Sequence, residues 1–187
     1  LLFVVFVGLG GTYLVRGNKK LSLLLLTSAV LLVILLFGTS ISFYRFETAF
    51  ETVLSGKVED SMESTSLRLV SWQGSMAVIL DNFLTGTGTG DFGDTLDEWY
   101  LKNNYEAAYK LSPNAHNQFL ESTGTLGIAG LITVVAVFTI PLFSSIKKRN
   151  LIAASLTAVI AVVALTESLF GVQAGVMFYV FFGCLLL

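Results

Sequence analysis

Apolar stretches at 1–15, 21–37, 126–143, 151–166 and 169–187 bracket one long polar stretch in this 187-residue chain. At about 1.5 Å of rise per residue, the second and third apolar stretches reach roughly 26 Å as helices, close to the ~30 Å hydrocarbon core of a bilayer. All five are expected to be transmembrane helices, with 151–166 slightly short and free to extend into its polar flanks.

Periodicity also organises the polar stretch. Leu69, Trp72, Met76, Ile79, Leu80 and Phe83 recur at helical spacing behind Ser64, Thr65 and Ser66, any of which can cap a helix. Arg68 falls in its first turn. The run GTGTGDFGD at 86–94 ends that pattern, because its glycines reach backbone angles a helix excludes. A second helix is expected over 94–111, presenting Leu96, Trp99, Tyr100 and Tyr105 to the membrane surface or a neighbouring helix, with Pro113 as its stop. Ser112 or Asn114 then caps a third helix, which begins near His116 and runs into the 126–143 span, bent around 124–127. The expected fold is an all-α polytopic membrane protein: two transmembrane helices over 1–37, a large helical loop over 38–118 and three transmembrane helices over 119–187.

Composition supports the bilayer as solvent, since 54% of residues are hydrophobic and the mean hydropathy is +0.77. The chain opens and closes inside apolar runs and shows no basic n-region or small-residue cleavage site, so it is expected to be a fragment of a longer protein without a signal peptide. Cys184 is the one cysteine, which excludes a disulfide framework and a thiolate metal cluster. Charge sets orientation. Arg16, Lys19 and Lys20 lie between the first two spans, and Lys147, Lys148 and Arg149 between the third and fourth, so both short loops are expected in the cytoplasm. The 38–118 loop then lies outside, with five basic side chains against eleven acidic ones. No nucleic-acid partner is expected. Structureless loops of such length are uncommon unless functional, so the chemistry is expected here.

His116 is the only histidine and sits where the polar loop meets an apolar span. Imidazole titrates near neutrality, which makes it a candidate base, although a histidine at a helix start can also serve only a backbone group. Asn117 and Ser122 can add hydrogen bonds, and Glu121 can accept a proton from the ring if the helix bends. Arg68 has two readings: a side chain lying along an amphipathic helix against Trp72, or a planar fork for phosphate oxygens. Arg45 is the other arginine of the loop and a weaker candidate for the same role. GTGTGDFGD lacks the Lys-Ser/Thr of a nucleotide loop and follows a helix, so it reads as a tight turn. Asp91, Asp94 and Asp97 read as solvated surface, and no metal site is expected. Glu167 reads as a helix-end charge at a membrane boundary that can also help shape a site, with Gln173 in the same border region.

In order along the chain stand Arg68 with Trp72 one turn later, GTGTGDF at 86–92, a tyrosine-rich stretch, AHNQFL at 115–120 and GTLGIAGL at 124–131. This ordered set resembles the O-antigen ligase and polymerase family of membrane glycosyltransferases. The resemblance spans roughly 64–131 and implies a GT-C-like bundle with a periplasmic catalytic loop in the bacterial cytoplasmic (inner) membrane. It implies transfer of a glycan from an undecaprenyl-diphosphate carrier to an acceptor hydroxyl, without cofactor or metal, with lipid A–core or another glycan as acceptor and membrane lipid as surroundings. By that resemblance His116 is the base and Arg68 binds the diphosphate; Arg45 and Asn117 are further expected substrate-binding residues. A ligase onto lipid A–core is the leading expectation; a polymerase joining lipid-linked repeats is the alternative, and no residue separates the acceptors. From a different class, a lipid or glycan transporter is disfavoured because the spans are nearly free of charge.

Overall fold

The computed structural model describes residues 64–186 together with Lys20, Leu23 and Thr27, and all regular structure over 64–186 is helical. We number the elements α1 (Ser64–Asp81), α2 (Phe92–Lys102), α3 (Glu106–Leu111), α4 (Gln118–Lys147), α5 (Leu151–Val163) and α6 (Gln173–Leu186), with a 3-10 turn at Leu169–Gly171. The two expected spans within 1–37, and Arg45, lie outside the described residues.

Helix α1 forms where its periodicity places it, yet the face it buries is shifted from the expected stripe. Val70, Ser71, Gly74, Ser75 and Val78 are buried together with Ile79 of that stripe, whereas Met76, Leu80 and Phe83 from it are exposed. Small side chains decide this. Gly74 lets the Trp99 ring of α2 come so close that an added Cβ would stand 2.8 Å from it. Phe92, Leu96 and Tyr100 of α2 then pack with Val70, Val78, Ala108 and Ala115 in one core cluster. Exposed apolar residues are no anomaly in themselves.

The helix expected over 94–111 is two helices. Asn104 adopts φ +61 between them, a left-handed conformation that asparagine tolerates better than most residues, and the Tyr105 amide donates to the Tyr100 carbonyl across the break. Tyr105 stacks on Trp99 with centroids 5.5 Å apart, so the aromatic residues face neighbouring elements.

Helix α4 is kinked at Gly127, whose φ of 62 and ψ of −145 lie outside the helical region. The turn after α1 docks into that kink chiefly through backbone: the Thr87 amide donates to the Gly124 carbonyl and the Gly88 amide to the Thr125 carbonyl, both at 2.9 Å, and Thr87 Oγ1 also donates to the Gly124 carbonyl at 3.2 Å. A Cβ on Gly127 would stand 2.5 Å from the Leu84 carbonyl oxygen, so only glycine permits the approach. The GTGTG run therefore acts as a packing turn.

Among the described helices, α4 alone is long and apolar enough to cross a membrane, with a mean hydropathy of 2.4 over its best 18-residue window. Only 22% of that window is buried within the protein, as expected of a helix whose remaining surface meets an apolar medium. Helices α5 and α6 are apolar but have 13 and 14 residues, fewer than the ~20 that a perpendicular span needs. The turn 148–150 joins α4 to α5, with Asn150 accepting from the Ala153 amide and donating to the Leu186 carbonyl. Phe138 of α4 stacks on Phe170 at 5.7 Å and meets Tyr179 of α6 edge-on, tying the 3-10 turn and α6 to α4.

Candidate functional site

Arg68 projects from the second turn of α1, and His116 lies 48 positions on, in the extended link just before α4. The fold brings both to a third residue. Glu167 Oε1 accepts from Arg68 Nη2 at 2.7 Å, while Glu167 Oε2 stands 3.5 Å from His116 Nδ1. The side chains of Arg68 and Glu167 are 40% and 43% exposed, so their ion pair adds little to stability and is inexpensive to open.

The imidazole is held mostly through its backbone. His116 adopts φ +45, a conformation that costs a non-glycine residue free energy and needs surrounding bonds to maintain it. Asn114 Oδ1 accepts from the His116 amide at 2.9 Å, and Trp72 Nε1 donates to the His116 carbonyl at 3.3 Å. Trp72, one turn after Arg68, thus fastens the two candidate residues to each other. His116 Nδ1 and Arg68 Nε are buried atoms with no hydrogen-bond partner among the described residues.

Asn117, expected from the sequence to contact substrate, is the N-cap of α4. Its Oδ1 accepts from the Phe119 and Leu120 amides, and its Nδ2 donates to the Leu165 carbonyl at 2.9 Å. This displaces Ser112 and Asn114 from the capping role: Ser112, at φ +42, terminates α3, and Asn114 serves the His116 amide. Gln118 extends the same seam. Its amide donates to the Ala164 carbonyl and its buried Oε1 accepts from the Phe170 amide, so the start of α4 and the 164–170 segment are sewn together. Those bonds bring Glu167 over His116.

Glu121 does not hold the ring. Its Oε2 accepts from the Ala115 amide at 3.0 Å and from Ser168 Oγ at 3.3 Å, and Ser122 Oγ accepts from Gln118 Nε2. The carboxylate that approaches His116 Nδ1 is instead Glu167, 51 positions later, at 3.5 Å. The sequence carried one signal for this, an acid beside an apolar stretch that would otherwise be costly there.

The remaining acids stay apart. Asp91 and Asp94 are exposed, Asp97 accepts from Ser112 Oγ at 2.7 Å, and among the described residues no three His, Cys, Asp or Glu side chains gather as metal ligands. Tyr100 is fully buried behind α1, and burial, with Asp97 and Glu121 nearby, pushes its hydroxyl up to about 12 from 10.0, while Ser71 acts in the opposite direction. A cavity of about 220 Å³ between α4, α5 and α6, lined by residues such as Pro141, Leu156, Ile160 and Phe182, shares no residue with the Arg68–Glu167–His116 group.

A family model described as O-antigen ligase matches residues 1–135, well over half of the 187. No curated protein and no solved structure matches the chain.

Proposed function

This chain belongs to the O-antigen ligase family, and on that premise we propose that it moves a glycan from an undecaprenyl-diphosphate carrier to an acceptor hydroxyl of lipid A–core. Membership implies glycosyltransferase activity of the O-antigen ligase or polymerase type; donor, acceptor and mechanism are our reading. The convergence of Arg68 and His116 on one carboxylate is the observation that carries it, because a base and a phosphate-binding fork must face the same sugar–phosphate bond.

In this mechanism His116 takes the proton from the acceptor hydroxyl through the nitrogen not turned to Glu167, Nε2. The hydroxyl oxygen bonds to the anomeric carbon as the bond from that carbon to the diphosphate oxygen breaks, and the electron pair leaves with the diphosphate. Arg68 stabilises the growing charge through paired donors, work that a guanidinium does without a metal. Arg45 remains a second candidate for the same diphosphate. Asn117 serves substrate binding indirectly, by fixing the link that carries His116.

Helix α4 supports the proposed placement in the membrane. The site lies at its start, Lys147, Lys148 and Arg149 lie at its end, and its exposed flank includes Ile132, Ile140 and Phe143. With the basic turn in the cytoplasm, the site faces the periplasm of the bacterial inner membrane, at the leaflet where a polyprenyl carrier presents its head group. The polytopic bundle with a GT-C-like loop is part of the same proposal.

Placed in the protein's own cells instead of the wild type, with every other gene intact, His116→Ala is expected to abolish glycan attachment while inserting normally. Polymer accumulating on the carrier supports the ligase, and attachment of single repeats indicates a polymerase. Wild-type attachment by the alanine variant removes the mechanism.

A further inference from the structure

We propose that Glu167 is a positioning residue that fixes the His116 tautomer and hands Arg68 over to the donor diphosphate. The inference rests on the reading of His116 and Arg68 given above and adds a residue that lies outside the 1–135 match. A carboxylate only accepts hydrogen bonds, so with Glu167 Oε2 3.5 Å from Nδ1 the ring proton is favoured on Nδ1 and the lone pair falls on Nε2, where the acceptor hydroxyl needs it. No group among the described residues hydrogen-bonds to Nδ1, so the preference comes from the charge of the carboxylate 3.5 Å away. Glu167 is the charged group facing the ring at ion-pair distance, Arg68 from α1 pairs with that same carboxylate, and Glu121 from α4 is committed to Ala115 and Ser168.

The same carboxylate holds Arg68 only by Nη2, at a half-exposed contact of small net worth. A diphosphate offers more negative charge and two oxygens to the fork, so the guanidinium exchanges partners when the donor arrives. Glu167 stays in place after the exchange, because its backbone neighbours are bonded to the start of α4: Ala164 to the Gln118 amide, Leu165 to Asn117 and Phe170 to the Gln118 side chain. The released carboxylate then serves the histidine alone.

The test uses the whole protein in lipid nanodiscs with an undecaprenyl-diphosphate glycan and lipid A–core. Glu167→Gln is expected to lower kcat 10- to 100-fold with donor KM unchanged or reduced, because Arg68 no longer has to be drawn from a carboxylate. Glu167→Asp should recover most of that loss. The chain's single histidine makes its ring directly readable: ¹⁵N spectra should show Nδ1–H in the wild type and a shift toward Nε2–H in Glu167→Gln. Undecaprenyl diphosphate should bind the Gln variant at least as tightly as the wild type, which separates loss of positioning from loss of fold. Wild-type kcat in Glu167→Gln, a loss expressed as higher donor KM, or a wild-type ring protonated at Nε2 overturns the proposal. If His116→Ala is inactive while Glu167→Gln is fully active, only this inference falls; if His116→Ala is active, the underlying reading falls as well.

Discussion

Replacing Asn117 by alanine separates a cap from a substrate contact. The change removes the acceptor for two first-turn amides of α4 and the donor to the Leu165 carbonyl. Loss of an asparagine cap costs about 1 kcal/mol, within a range of roughly 0.5–2. Loss of one further neutral hydrogen bond adds about 1 kcal/mol. The start of α4 should therefore be weakened by about 2 kcal/mol, on the order of a 30-fold change in its opening equilibrium. Serine keeps the capping oxygen but is too short for Leu165, so Asn117→Ser should lose about half as much. Aspartate keeps the acceptors, gains from the positive end of the helix and also loses the Leu165 bond, placing it near serine. Thermal unfolding of purified protein alongside transfer assays checks the order Asn, then Asp and Ser, then Ala. Transfer should fall in step with stability, through kcat, because the seam that carries Glu167 to His116 loosens. An alanine variant as stable as the wild type, with its defect confined to substrate KM, would refute the cap argument and make the amide a direct ligand.

Arg68→Lys should transfer glycan nearly as poorly as Arg68→Ala, because an ammonium keeps the charge and loses the fork; full activity of the lysine form in the attachment assay contradicts the phosphate role. Gly127→Ala should destabilise by at least about 2 kcal/mol, since its backbone angles suit glycine and the new Cβ meets a carbonyl that cannot swing aside; limited proteolysis at 84–88 reads the undocked turn. Tyr100 is neutral in the folded protein and its hydroxyl is raised to about 12, so its contribution to stability is full below pH 10 and is lost as pH rises from 10 towards 12; alkaline unfolding curves should show this drop flattened in Tyr100→Phe. Chelators should leave transfer unchanged, and inhibition reversed by magnesium would bring Asp91 and Asp94 into the chemistry.

Helix existence was legible where period and punctuation agreed. α1 and the bend near Gly127 follow from spacing and glycine, and the pairing of Arg68 with Trp72 by one turn survives as a real junction to His116. The buried face of α1 was not legible, because apolarity ranks Met76 and Leu80 above Ser71 and Gly74, whereas close approach to Trp99 rewards smallness. The break at Asn104 needed a left-handed residue that tertiary contacts select. Arg68 and His116 stood out as residue types. Glu167 stood out only as a boundary acid able to help shape a site; its partners were not legible, since they are brought to it by hydrogen bonds across 47 and more positions, and spacing along a chain says nothing of such closures.

That late carboxylate has a consequence for biogenesis. A nascent chain halted after the basic turn at 147–149 would already contain Arg68, Trp72, His116 and the kinked helix, yet it would lack the carboxylate that both candidate side chains face. Under the proposed roles, competence arrives only once 151–186 has folded back on α4, and a partly made chain would not spend the donor glycan on water.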